Sequence, residues 1–495
     1  MADDIYFDYQ LSGRPQRKKT KERLWSVLIA CFVAAFGPFS FGYGMGYSSA
    51  AVTQLENANA TDLHLDKEGI TWFSSLLNIG AMLGGPLGGW MIDFFGRKIA
   101  LMLTALPFSV GWLMIGFGKV PGLLHAGRFF SGVGVGCASL IVPVYISETA
   151  PSRFRGAFGA FNQIGIVTGI LMSYVIGHEL DWRGSAIAGI GPPAVMVILM
   201  IFMPETARWL LARGKEERAK KSLLWLRGPN YKIENEMDEI RESLNFRDRM
   251  SIREFAKPSL LRPFAISMTI HFFQQTTGIN AVMFYCATIF QKAGFQENST
   301  VVSILIAVIQ LFAAAVSILM IDRGGRRFLL IVGGLGMCFS CFTLGAYFYL
   351  TINAVPTHGW VEFDISWVAV TSVAVYIVGF AMSWGPCTWL IMSEIFPVKA
   401  RGIASGIATL FNWFCSFVIT KTFVLLIDEF TEAGTFWFYG SLAFLAVVFV
   451  YVYLPETKGK SLEEIQIYFE NKVQKNATKP AQPSEVDDGV IETRL

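Results

Sequence analysis

The chain of 495 residues is 53% hydrophobic and 16% charged, with a mean hydropathy of +0.46 and a formal net charge of +3. That is more apolar surface than a soluble protein can bury, so a bilayer must take the excess. A soluble enzyme is excluded, and so is a nucleic-acid-binding domain, because no soluble region interleaves basic and aromatic residues.

The chain opens on a polar tail, residues 1–24, carrying Asp3, Asp4, Arg14, Arg17, Lys18 and Lys19. The first apolar run starts only after it, so no cleavable signal peptide is expected and this run is its own insertion signal. A helix of about 20 apolar residues crosses hydrocarbon. Runs of that kind lie near 25–50, 70–92, 99–117, 123–145, 156–177 and 185–203, which predicts a first six-helix bundle over 25–203. The polar linker 204–259 carries periodic apolar patches at 219–226 and 233–244, which predict short amphipathic surface helices. A second set of runs near 260–290, 301–321, 328–350, 367–391, 403–426 and 435–454 predicts a second bundle over 260–454. The tail 455–495 becomes poor in large apolar groups from about residue 471 and is expected to be disordered there. Lipid cannot satisfy backbone polar groups, so the fold class is all-α integral membrane with twelve transmembrane helices.

Three short signatures occur once in each half, in the same order. Asp93-Phe94-Phe95-Gly96-Arg97-Lys98 is answered by Asp322-Arg323-Gly324-Gly325-Arg326-Arg327. Glu148 with Arg155-Gly156 is answered by Glu394 with Arg401-Gly402, and Pro204-Glu205-Thr206 by Pro455-Glu456-Thr457. A repeat of half the chain marks a duplicated membrane bundle, an architecture that points to a transporter. Arg208 follows the first Pro-Glu-Thr. These charged groups sit at helix ends where acid and base can pair when one side of the bundle closes and part when it opens. One exposed pair contributes only about 0–1 kcal/mol, but a network can bias a two-state equilibrium.

Lys and Arg concentrate on alternate loops, and the intervening loops at 54–68 and 428–432 lean acidic. The positive-inside rule then puts both chain ends in the cytosol. The sequons at Asn59 and Asn298 fall on the outer side, open to glycosylation, and the one at Asn476 falls inside. The seven cysteines lie in apolar runs and read as packing residues, Cys338 and Cys341 included. No metal-ligand spacing, nucleophile or paired catalytic carboxylate appears, so no metal, no cofactor and no enzyme activity is expected. Gly132, Gly134 and Gly136 lie within a span, where close helix packing explains them.

The corners, together with Pro204-Glu205-Thr206-Ala207-Arg208, Gln274-Gln275-Thr276-Thr277-Gly278-Ile279-Asn280 and Pro455-Glu456-Thr457-Lys458-Gly459, resemble the sugar porter family of the major facilitator superfamily, and more narrowly its facilitative glucose transporters. The match runs from about Leu24 to Ile465. The resemblance implies two pseudo-symmetric six-helix bundles around a cavity that faces one side at a time. A hexose offers hydroxyls and C–H faces, so its site needs neutral amides and an aromatic plane. Amides inside apolar helices are costly unless paired, and Gln163, Gln274, Gln275, Asn280, Gln310 and Asn412 are all amides within the expected spans. Polar glue between helices is the alternative reading of each. The resemblance assigns sugar contacts to Gln163, Gln274, Gln275, Asn280 and Asn412, and an aromatic one to Trp389, which follows the helix-breaking Gly385-Pro386. Gln310 stands where many members carry Asn. Ala381 and Thr276-Thr277 also depart from the family pattern, which leaves the preferred hexose open, with glucose first.

Proton-coupled members of the family carry an Asp directly after a Phe-Gly-Tyr signature in the first helix. Here the stretch reads Phe41-Gly42-Tyr43-Gly44, and Arg128 at the start of the fourth span, which matches the family arginine that would partner that Asp, has no intramembrane carboxylate to meet. Uniport by a monomer, with sugar as substrate and the bilayer as partner, is the expectation. Proton symport, a carrier of another polyol and a non-transporting sensor are the alternatives. The motifs look most like the intracellularly retained animal class, and plasma and endolysosomal membranes both fit.

Overall fold

The computed structural model describes residues 24–56, 63–151, 154–245, 258–295, 298–353, 366–396, 398–458, 464–465 and 468–469. Among them nine helices are long and apolar enough to cross a membrane. The first six spans are Leu24–Glu56, Lys67–Phe94, Arg97–Gly116, Pro121–Thr149, Arg155–Glu179 and Trp182–Met200. Lys67–Phe94 is less apolar, because six glycines with Thr71, Ser74, Ser75 and Asn78 dilute its apolar residues, yet its 28 residues are ample to span.

The seventh span is broken into Pro258–Thr276, Ile279–Phe284 and Cys286–Lys292, with Gly278 at φ 95° in the first gap. The eighth and ninth are Ser299–Ile321 and Arg326–Thr351. The tenth, Ser366–Ile395, contains a π-helical turn at Phe380–Trp384, directly before Gly385-Pro386. The run Gly402–Tyr453 holds two spans, because Thr431 leaves helical geometry with φ 63°. Phe423 and Tyr439 lie eight residues to either side of it with ring centroids 6.4 Å apart, where a straight helix would separate them by about 24 Å. Twelve spans result, as the sequence predicts.

Local chemistry explains several ends. Asp66 and Asp181 cap the second and sixth spans, each Oδ1 accepting from a backbone N–H three residues on at 2.8 Å. The second and fourth spans approach closely through Gly80, Gly84, Gly132 and Gly136, where a Cβ would lie 2.1–2.3 Å from a facing carbonyl oxygen. Large apolar side chains such as Phe32, Phe202, Phe312 and Phe339 stay exposed on the outer surface, which suits contact with lipid. The seven cysteines are free and buried.

The linker forms Ala207–Ala212, Glu216–Arg227 and Ile233–Asn245, close to the expected patches. Ala207, Leu210, Ala219, Leu223, Ile233 and Met237 share a small core. Buried Arg227 ties this unit to the first bundle. It donates to the Thr149 carbonyl at 2.7 Å and pairs with both Glu236 oxygens at 2.7 and 3.1 Å.

Among the described residues, the polar contacts between the bundles lie in the half away from the charged corners. Tyr174 donates to the Met283 carbonyl at 2.8 Å and the Ala287 N–H to Ser49 at 2.9 Å. Lys421 reaches Thr71 at 2.7 Å, and Lys67 pairs with Asp428 at 2.9 Å. The bundles therefore close on the face opposite the corners.

Candidate functional site

The duplicated corners repeat atom for atom. Arg97 Nη2 pairs with Glu148 at 2.8 Å while Nη1 donates to the Ile92 carbonyl at 3.2 Å. Arg326 Nη2 pairs with Glu394 at 3.0 Å while Nη1 donates to the Ile321 carbonyl at 3.1 Å. Glu205 and Glu456 do something other than pair with an arginine side chain. The Glu205 carboxylate accepts the backbone N–H groups of Arg97 and Lys98 at 3.0 Å each, and Glu456 accepts those of Arg326 and Arg327 at the same distance. Each glutamate caps the start of a span, where unsatisfied N–H groups and the helix dipole favour an anion. Gly96 at φ 90° and Gly325 at φ 86° make the turns possible, since a Cβ there would meet the capping carboxylate at 2.4 and 2.8 Å.

Burial raises the pKa of Glu205 above the ordinary carboxylate value, against the lowering effect of its backbone N–H bonds and of Arg97. Asp93 is exposed and contributes through its backbone carbonyl, which accepts from Trp209 and Arg213 at 3.2 and 2.8 Å. Arg327 donates to the Tyr451 carbonyl. Arg208 is half-buried with no polar partner among the described residues. The side chains of Arg155, Asp322 and Arg401 lie outside the described residues. So do the sequons at Asn59 and Asn476, whereas Asn298 is exposed.

In the interior, four of the amides singled out in the sequence join one hydrogen-bonded ladder. Gln274 Nε2 donates to the Trp384 and Gly385 carbonyls at 2.9 and 3.3 Å, at the junction of the π-helical turn with the helix that follows. Asn412 Nδ2 donates to Gln274 Oε1 at 2.8 Å, and Gln275 Nε2 to Asn412 Oδ1 at 3.0 Å. Asn280 Nδ2 donates to Gln275 Oε1 at 2.7 Å and to Ser416 at 2.5 Å. Ser416 donates to Asn78 Oδ1 at 3.0 Å, and Asn78 Nδ2 donates to Thr420 at 2.8 Å. Every member is buried. The break at Gly278 places Asn280 five residues after Gln275 and still within reach of it.

The remaining candidates lie off the ladder. Gln310 is buried, and its Oε1 has no hydrogen-bond partner among the described residues. Gln163 is half-buried and has no side-chain hydrogen bond among the described residues. Trp389 is 36% exposed and stands edge-on to His271, ring centroids 5.1 Å apart. His271 and Asn78 escaped the sequence reading, although the rule that found the other amides covers both. Each is a polar side chain inside an apolar run. Buried His271 donates from Nδ1 to the Ser267 carbonyl at 2.9 Å, leaving Nε2 unpartnered among the described residues.

Arg128 is fully buried and satisfied by neutral groups. It donates to the Phe73 carbonyl at 3.2 Å, to the Gly44 carbonyl at 2.9 Å and to Ser48. The Phe73 and Tyr47 rings lie 5.2 and 5.8 Å from its guanidinium carbon. Among the described residues no group of three or more His, Cys, Asp or Glu could hold a metal ion. The ladder is made of neutral groups that both donate and accept hydrogen bonds, the kind of lining that the sugar porter resemblance implies.

Comparison with known proteins agrees. The family profile described as Sugar (and other) transporter matches residues 30–469. Solute carrier family 2, facilitated glucose transporter member 8 of Bos taurus is 40% identical over 459 residues, covering 90% of this chain and 95% of its own. The facilitated trehalose transporter Tret1 of Bombyx mori is 39% identical over 459 residues, covering 92% and 89%. The inward-open xylose transporter XylE from E. coli superimposes with TM-score 0.75 at 28% identity, over 89% of this chain and 99% of that one. The same protein, described as a proton:xylose symporter and bound to 6-bromo-6-deoxy-D-glucose, gives TM-score 0.73 at 29% identity over 90% and 99%. A chain with this bundle, these corners and these relatives is a transporter and not an enzyme, and it belongs to the sugar transporter family of the major facilitator superfamily.

Proposed function

We propose that the chain carries a hexose, glucose first, down its gradient by uniport, with the amide ladder and Trp389 contacting the sugar. The observation that carries this reading is the ladder. Gln274, Gln275, Asn280 and Asn412 satisfy one another, so sugar hydroxyls that enter exchange for bonds between the amides. About five to seven exchanged bonds at 0.5–1.5 kcal/mol each, less the cost of ordering, leave roughly −4 kcal/mol, a millimolar affinity. Weak binding suits a carrier that must release its load. Gln310 Oε1, buried without a partner among the described residues, is a further acceptor for a hydroxyl.

Alternating access follows from the asymmetry of the bundle contacts. The closed half holds the contacts between bundles, and the corner half holds the Arg97–Glu148 and Arg326–Glu394 pairs, each confined to one bundle. In this reading these pairs and the neighbouring charged residues Asp93, Arg155, Glu205, Arg208, Asp322, Arg327, Arg401 and Glu456 together bias opening at the basic face. That face is cytosolic in this reading, with both termini on it, in either a plasma or an endolysosomal membrane. The chain works as a monomer.

Uniport rests on Gly44 and Arg128. The position that would hold a proton-binding Asp offers only a backbone carbonyl to the guanidinium. Counterflow of labelled glucose, fructose, inositol and trehalose into proteoliposomes tests the assignment. Glucose exchange that survives a protonophore and never exceeds equilibrium is expected. Accumulation against a gradient that collapses with the protonophore would establish symport instead, and absence of any sugar exchange would overturn the reading.

A further inference from the structure

The second and eleventh spans run antiparallel across the bundle interface in the closed half. Lys67–Asp428 lies at the rim, with side-chain exposures of 75% and 44%. Further in, Lys421 bonds Thr71 and sits 4.1 Å from the centre of the Trp72 ring, which tilts against Phe417. Deepest is Asn78, fully buried, its amide group placed between Ser416 and Thr420 of the facing span. Rim contacts of this kind are screened and weak, whereas a buried polar group that loses its partner without gaining water is penalised strongly.

Asn78 also touches the ladder. Ser416, which donates to Asn78 Oδ1, accepts from the Asn280 amide, and Asn280 in turn donates to Gln275. Thr420 spends its own hydroxyl proton on the Ser416 and Phe417 carbonyls, so toward Asn78 it can only accept. Donor and acceptor directions are thereby fixed from Thr420 through Asn78 and Ser416 to Asn280. A change in what Asn280 bonds changes what Ser416 receives, and Ser416 is one of the two groups holding Asn78.

We propose that Asn78 is the positioning residue that ties closure of the face opposite the corners to the state of the amide ladder. It draws the second span onto the eleventh when the pathway is dry, and it senses, through Ser416, whether Asn280 is engaged by the ladder or by sugar. When the spans part, water takes both of its bonds. The link to sugar rests on the proposed sugar site, and the closure itself does not.

Hydrogen–deuterium exchange of the full-length protein in detergent, with and without D-glucose, tests this for Asn78→Ala. In Asn78→Ala the Ser416 hydroxyl and the Thr420 lone pair are buried unsatisfied only in the closed state. An open population raised by about ten-fold follows. The sugar-free variant should exchange faster in 67–78 and 416–428 and slower at the corner segments 93–98 and 394–402, a reciprocal change that general loosening cannot give. Glucose should alter exchange at 67–78 in the wild type and leave it unaltered in the variant, while segment 274–280 responds in both. Unchanged or uniformly faster exchange, or a response at 67–78 that persists in Asn78→Ala, overturns the proposal. Thr420→Val, nearly isosteric and lacking the acceptor, should show the same reciprocal change, and its absence there also overturns it. A wild type whose 274–280 segment ignores glucose tells against the sugar site alone, because the sugar-free comparison stands without it.

Discussion

Gln275 occupies the middle of the ladder, so replacing it with leucine tests whether sugar exchanges with that ladder. The substitution keeps the volume and removes two bonds, the donation to Asn412 Oδ1 at 3.0 Å and the acceptance from Asn280 Nδ2 at 2.7 Å. One acceptor on Asn412 and one N–H on Asn280 then lie buried without a partner, at about 1–3 kcal/mol each. In the empty carrier this lowers stability. In the loaded carrier the effect has two parts of opposite sign. Sugar forfeits up to two bonds to Gln275, about 1–3 kcal/mol, and recovers part of that by satisfying the orphaned groups. A net loss of about 1–2 kcal/mol remains, a rise in the transport KM of roughly 5- to 30-fold. Zero-trans glucose uptake into proteoliposomes with matched amounts of protein measures it, alongside a thermal melt. The variant should melt earlier and show the raised KM. Half-buried Gln163, which has no ladder partner, should raise KM on substitution to leucine with little change in melting. A Gln275→Leu carrier with KM within about two-fold of wild type would refute the reasoning, since affected binding is the quantity that the free-energy argument requires.

Glu148→Gln removes the charge opposite Arg97, a pair with side chains only 8% and 11% exposed. Faster exchange at 93–98 and a changed balance between the inward- and outward-facing states are expected. Glu394→Gln should do the same in the second half, because its geometry matches, and unchanged exchange and transport would count against the gate. Gly44→Asp has room, the nearest side-chain atom to its Cβ being Leu77 Cδ1 at 3.6 Å, and it would set a carboxylate beside Arg128. Its glucose uptake should become pH-dependent, and pH-independent uptake by the folded variant would contradict the role given to Gly44. Glu205 has a folded-state pKa raised above 4.5 by burial, so its stabilising contribution is fully present below 4.5 and lost as pH rises through the raised value. Thermal melts at about pH 5 and about pH 7 should therefore differ less in Glu205→Gln than in wild type, and an equal difference would reject the assignment.

Spans and corners were legible because each rests on a pattern that the bilayer or a helix end imposes directly. Twenty apolar residues have to cross, and a Gly-Arg turn after a long run has to end a helix. The break at Thr431 was legible because Asp428, Glu429 and Glu432 interrupt the apolar residues between the two runs. The work of Glu205 and Glu456 was not legible. A sequence shows that an acid recurs near a basic corner, and it does not show whether the carboxylate meets a guanidinium or the backbone N–H groups of the next helix. The ladder was half visible. Gln274, Gln275, Asn280 and Asn412 stand out as amides in apolar runs, but their order as donors and acceptors depends on the break at Gly278 and the π-helical turn at Phe380–Trp384, both of which are set by packing. Asn78 sits in a span whose glycines and serines dilute the contrast between one amide and its surroundings.

On the proposed uniport mechanism the site must close without sugar as often as with it, and that requirement would explain why the amides satisfy one another. If Gln274, Gln275, Asn280 and Asn412 faced an empty site unpaired, closing around them would bury several bare donors and acceptors at about 1–3 kcal/mol each, and the empty carrier would stall. Paired as they are, the site can close dry. The same pairing weakens sugar binding, since every hydroxyl that enters must replace an existing bond. Low affinity and free return of the empty carrier are then two results of one arrangement. A substitution that unpairs the ladder should therefore slow net uptake more than it slows exchange of sugar for sugar, because only net uptake requires the empty site to close.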